Sequence, residues 1–155
     1  MVDAEKIIRE YIDKTVHMSL ATVADNKPWV CEVHFAYDDN LNLYFISAPH
    51  TRHVKELLKN PNVAGNIVKQ YAKGELPHGC IYFEGKAEVF KHSDEDILRY
   101  CNMLERDEAM VRNWLSAEGG LSMYKISVSN WAVFGKFEDS LKKYELKWGT
   151  TTDVT

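Results

Sequence analysis

Apolar residues recur along the chain at two spacings, and the switches between them mark out the elements. Residues 3–14 carry Ala4, Ile7, Ile8, Tyr11 and Ile12 at helical spacing behind Asp3, a capping residue, which predicts a first helix. From His17 to Val23 the pattern becomes strand-like and stops at the turn Ala24-Asp25-Asn26-Lys27-Pro28. Trp29 to Tyr37 alternates, with Trp29, Cys31, Val33, Phe35 and Tyr37 on one face and Val30, Glu32, His34 and Ala36 on the other. After the polar turn Asp38-Asp39-Asn40, Leu43 to Ser47 reads as a third strand, completing an antiparallel meander.

Thr51 is placed to cap a short helix with Val54, Leu57 and Leu58 as its apolar stripe, and Asn60-Pro61 ends it. Strands are predicted over Val63 to Val68 and Cys80 to Phe90. Ser93 with three acids behind it opens a helix to about Glu105, because acids suit the positive end of a helix. A second helix covers Glu108 to Leu115. Met123 to Val128, Trp131 to Phe134 and Tyr144 to Trp148 are read as closing strands, and the polar segment 149–155 as a disordered tail. Strands and helices do not alternate as βαβ units. An α+β fold is expected over residues 1–148 as a single domain: a mostly antiparallel barrel of six to seven strands with peripheral helices.

The chain has 155 residues, enough for a core without disulfide staples. Its net charge of −4 argues against a nucleic-acid partner, and no apolar run approaches a membrane span. No signal peptide is read at the N-terminus, and Cys31, Cys80 and Cys101 are odd in number and far apart, which fits a reducing, cytoplasmic setting. Neither CxxC nor HExxH occurs, so His17, His34, His50 and His53 are not read as metal ligands. Aromatics such as Trp29, Tyr37, Tyr44, Trp131 and Trp148 exceed what one small core needs and suggest a subunit interface.

The densest polar constellation is Ser47-Ala48-Pro49-His50-Thr51-Arg52-His53, between the third strand and the short helix. A helix N-terminus presents unpaired N–H groups, and Arg52 adds a fork of donors that matches a phosphate. Ser47, Thr51 and His53 would add further donors. Taken alone, the segment reads equally well as an ordinary N-cap beside a solvated arginine.

Leu43-Tyr44-Phe45-Ile46-Ser47, then Thr51-Arg52-His53, Leu57, Asn60-Pro61 and Val63-Ala64, followed by Ile81-Tyr82-Phe83-Glu84-Gly85-Lys86-Ala87-Glu88-Val89, resemble in order the FMN-binding split barrel of the pyridoxamine 5′-phosphate oxidase-like superfamily, with the YhbP-like bacterial branch closest. The resemblance covers residues 5–148. It implies a homodimer with two FMN sites at the subunit interface. It implies that the backbone at Val33, His34 and Phe35 runs along the isoalloxazine ring, that Ser47, Thr51, Arg52 and His53 hold the phosphate with Ile46 also among the cofactor-binding residues, and that Cys80, another of them, stands where the oxidase has a glutamine. The family's usual Ser-Arg-Lys reads Thr51-Arg52-His53, and Val30 stands where the oxidase has an arginine. These departures argue against vitamin B6 as the substrate. An FMN-dependent oxidoreductase acting on an unidentified small molecule is the implied function. A non-catalytic module for flavin, haem or another phosphorylated cofactor is the alternative, and a deazaflavin also stays open.

Overall fold

A computed structural model describes residues 2–70, 72–75, 79–137, 140–147 and 150–154. Helix α1 (Ala4–Asp13) is capped by Asp3, whose carboxylate accepts from the Lys6 amide, and it buries Ala4, Ile8, Tyr11 and Ile12. Strands β1 (His17–Ala24) and β2 (Lys27–His34) form a hairpin. Its two turn residues, Asp25 and Asn26, both have positive φ (51° and 59°). That is the turn whose twist matches a right-handed strand pair, so pairing begins at Lys27, two residues before the predicted Trp29. The predicted alternation holds through to Tyr37, although ladder pairing is interrupted at Phe35, which lies between β2 and the two-residue β3 (Ala36–Tyr37). Phe35 packs into the barrel interior and Ala36 into the cluster on the opposite face, as expected, so both are buried.

Next come β4 (Leu43–Ser47), α2 (Arg52–Lys59), β5 (Asn62–Val68), β6 (Gly79–Val89), α3 (Asp94–Leu104) and α4 (Glu108–Leu115). A full capping box holds the start of α3, with Ser93 and Asp96 satisfying each other's backbone amides. The predicted strands 123–128 and 131–134 are one continuous β7 (Ser122–Phe137). The polar Ser129-Asn130 interruption is absorbed where the register against β6 shifts between Glu84 and Gly85, with the Ser129 hydroxyl donating to the Glu84 carbonyl. Strand β8 (Ser140–Lys147) follows. The segment expected to be a disordered tail instead contributes β9 (Thr150–Asp153), paired with β8. Its threonines are β-branched residues that favour strands. Trp148 and Gly149 lie outside the described residues.

One sheet joins all nine strands in the order β2-β1-β5-β6-β7-β4-β3, with β8 on β7 and β9 on β8. Every pairing is antiparallel, which gives the mostly antiparallel α+β fold expected from the pattern and the split barrel implied by the resemblance, with more strands than the six to seven counted. The sheet curls so that Met18, Leu20, Val33, Leu43, Phe45, Ile67, Ile81, Phe83, Ile126 and Val133 share one interior with α1 and with Val54 and Leu57 of α2. The other face of β4 and β7 is covered by α3 and α4 around Tyr44, Ile97, Tyr100, Leu104, Val111 and Met123. Tyr44 and Trp131 pack within the chain. Among the described residues no helix is long and apolar enough to cross a membrane.

Among the described residues the outward face of β2, β1, β5 and β6 has no such cover. Register places Val30, Ala21, Ala64 and Glu84 in one row across it. Val30 is 60% exposed, and Val68 and Tyr82 on the same face are exposed too.

Candidate functional site

The first turn of α2 is unlike the other helix starts. In α1, α3 and α4 a side chain accepts from a backbone amide and at least one acid lies in the first turn. Helix α2 has neither: Thr51 sits at the N-cap position without a side-chain cap bond, and no acid follows. The cap predicted for the Thr51 hydroxyl is not made, because that hydroxyl donates backwards to the Ala48 carbonyl at 2.8 Å. The first amides of α2 thus keep their donors and the helix keeps the positive end of its dipole. Leu58, predicted in the apolar stripe, is exposed, and Glu56 takes a buried place instead.

The structure divides the predicted phosphate site in two. Successive helical residues point about 100° apart, so the adjacent Arg52 and His53 cannot serve one face. His53 turns inward. Its ring lies 6.3 Å from that of Phe45, and its Nε2 is 2.7 Å from the Ser47 hydroxyl and 3.3 Å from that of Thr51. Burial pushes the His53 pKa below the usual imidazole value, with Glu56 opposing it. His53 is thus a neutral hydrogen-bonding group at neutral pH.

Arg52 turns outward but is held. Its Nε donates to Glu56 Oε1 at 2.7 Å, and its guanidinium lies 4.3 Å from the centre of the Trp29 ring. Glu56 is held from below, since the buried Thr22 hydroxyl donates to Glu56 Oε2 at 2.6 Å. Thr22 and Trp29 are directly opposed on the β1–β2 hairpin, so their side chains share a face and meet the same helix turn. The bonds from Thr22 and Arg52 hold the Glu56 carboxyl below its ordinary pKa.

Arg52 borders a cleft of about 350 Å³ between α2 and the β1–β2 turn, lined also by Asp25, Lys27, His50, Lys55, Glu56 and Lys59. Glu56 pairs with Arg52, and Asp25 lies 3.7 Å from Lys59. Lys27 and Lys55 carry the charge left over, two positive units, which matches a phosphate monoester dianion. Pattern reading had not assigned Trp29, Lys27, Lys55, Glu56 or Thr22 to this site. The Arg52–Glu56 spacing of four was a usable signal. The Thr22 contact spans 34 residues and had none.

The remaining predicted residues fall elsewhere. Val33 and Phe35 point into the barrel, so they offer only backbone to a ligand. Ile46 packs against the α3–α4 cluster. His34 faces outward on β2, with its Nδ1 3.1 Å from Arg106, and burial, then Arg106, then His17 lower its pKa. Cys80 lies between Val68 and Phe134 in register, and its hydrogen bond with Tyr82 helps to raise that phenol to about 12. Among the described residues no group of three or more His, Cys, Asp or Glu is placed to hold a metal ion.

Comparison with known families decides the lineage. The family described as Pyridoxamine 5'-phosphate oxidase matches residues 4–131. The chain belongs to this family. No curated protein matches it. Among solved structures, Campylobacter jejuni ChuZ superposes with a TM-score of 0.77 at 14% identity, over 97% of this chain and 62% of ChuZ. Vibrio cholerae HutZ, described as a heme storage protein, gives 0.64 at 19% identity over 81% of this chain and 89% of its own. A heme binding protein from Mycobacterium smegmatis gives 0.71 at 17% identity over 100% of this chain and 59% of its own. The chain thus spans about three-fifths of two of these relatives. At these identities the likeness establishes the split-barrel fold.

Proposed function

We propose that the protein is an FMN-binding flavoprotein that works as a homodimer and acts as an oxidoreductase on a small molecule, with the FMN phosphate at the start of α2. The observation that carries this reading is the uncapped, acid-free N-terminus of α2 with Arg52 clamped beside a cleft whose net charge suits a phosphate dianion. Arg52 and the free amides of the first turn would hold the phosphate, and Lys27 and Lys55 would add long-range attraction. When bound, the flavin supplies the electron-transfer chemistry, and the protein supplies orientation and exclusion of water. The outward row Val30-Ala21-Ala64 is low and apolar, suited to a flat ring or to a second copy of the chain.

A haem-binding module without catalysis is the second reading. It is supported by what HutZ and the Mycobacterium smegmatis protein are described as binding, and by the outward-facing His34 and the exposed His50. Titration of apo-protein with FMN and with hemin separates the two. The first reading expects saturation at one FMN per chain with a change in flavin fluorescence. A Soret band that saturates at one hemin per chain, with no FMN binding, would favour the second.

A further inference from the structure

We propose that Glu56, anchored to the sheet by Thr22, is a positioning residue that aims the Arg52 guanidinium at a phosphate; the inference rests on the reading of Arg52 as the FMN phosphate anchor. Exposed arginine–glutamate pairs one helical turn apart usually hold little, because both side chains move. This pair differs in one partner. Glu56 is 8% exposed, and both of its carboxylate oxygens are used, Oε1 by Arg52 Nε at 2.7 Å and Oε2 by Thr22 Oγ1 at 2.6 Å. Thr22 is itself buried in β1, so the carboxylate is fixed to the barrel wall as well as to its own helix.

The clamp takes the guanidinium by its inner nitrogen and leaves the outer edge free. Among the described residues neither terminal nitrogen of Arg52 has a hydrogen-bond partner. The Trp29 ring lies 4.3 Å from the guanidinium carbon and restricts its movement on that side. A guanidinium held by its inner nitrogen and one face presents the two donors that match two oxygens of one phosphate. The arrangement carries an apparent contradiction, since the Glu56 charge itself repels an anion. That contradiction makes the role testable, because holding and charge can be removed separately.

Glu56→Gln keeps an acceptor for Arg52 Nε and an amide for Thr22 but loses the charge. Glu56→Ala loses both. Dissociation constants for FMN and for riboflavin, which lacks the phosphate, are measured on both variants and the parent. The parent is expected to prefer FMN. Glu56→Ala is expected to cut that preference about tenfold, the scale of freeing an arginine side chain, with riboflavin affinity changed less than twofold. Glu56→Gln should hold the parent's preference or exceed it.

If the parent prefers FMN but Glu56→Ala keeps the preference, or weakens both flavins alike, the positioning role is overturned and the Arg52 reading stands. If the parent binds both flavins equally, the phosphate reading falls and takes this role with it. Should Glu56→Ala fail to fold by circular dichroism, Thr22→Val removes the sheet anchor alone. A threefold loss of FMN preference then supports the clamp, and an unchanged preference overturns it.

Discussion

Replacing Arg52 by alanine tests the anion site at its strongest point. The side chain is 47% exposed and its Nε is occupied by Glu56, so a phosphate reaches only the terminal nitrogens. Hydrogen bonds to charged groups contribute about 1.5–3 kcal/mol each. Partial solvation of the guanidinium argues for the lower end per bond, and Lys27 and Lys55 would still attract the anion from the cleft walls. A net loss of about 1.5–3 kcal/mol follows, which is roughly ten- to a hundredfold in the FMN dissociation constant. Flavin fluorescence titration reads this directly, and the loss should shrink at high salt, where the charge of Arg52 in the parent is itself screened. Arg52→Lys keeps the charge but not the fork and should fall between parent and alanine. Removing Arg52 also strips the buried Glu56 of a partner, so melting curves must accompany the titrations. If folded Arg52→Ala binds FMN as tightly as the parent, the phosphate does not sit at this helix start.

Three further outcomes follow from other parts of the structure. His53 and His34 both have native pKa values lowered chiefly by burial, while an unfolded histidine titrates near 6.5. Between those values the unfolded chain binds more protons, so stability rises with pH across that window and is lost on acidification below about 6.5. Melting temperatures from pH 5 to 8 should show that slope, and His53→Gln should flatten it; a parent protein that melts higher at pH 5 than at pH 7 contradicts the assignment. In β5, a Cβ on Gly65 would lie 2.3 Å from both the Ser19 carbonyl oxygen and Phe83 Cζ, where backbone on one side cannot yield. Gly65→Ala should therefore cost at least about 1–3 kcal/mol by urea unfolding, and an unchanged midpoint would mean that β1, β5 and β6 are spaced differently. Light scattering should give twice the 17.9 kDa chain mass, and Val30→Lys on the open sheet face should lower it, whereas a parent mass of one chain at micromolar concentration refutes the dimer.

Local signals made most of the elements legible. Asp3, Ser93 and Asp107 each accept from a backbone amide at the start of a helix. The alternation of Trp29 to Tyr37 was legible in full, but the covering of Ala36 on its own face depended on α3 and α4, far off in sequence. The union of the last predicted strands into β7 depended on a register shift against β6, a partner far off in sequence. The site shows the same division. The string Thr51-Arg52-His53 lies at the start of α2 as read, yet helical geometry sends Arg52 out to Trp29 and His53 in to Ser47. Holding Arg52 also required Thr22, which reaches α2 only through the sheet.

The central claim is that the start of α2 carries the phosphate of a flavin. The most direct measurement is the absorption spectrum of freshly purified protein, followed by mass spectrometry of the small molecule released on denaturation. The account predicts flavin bands and a released mass equal to that of FMN. A Soret band with released haem, or a flavin that lacks a phosphate, would contradict it.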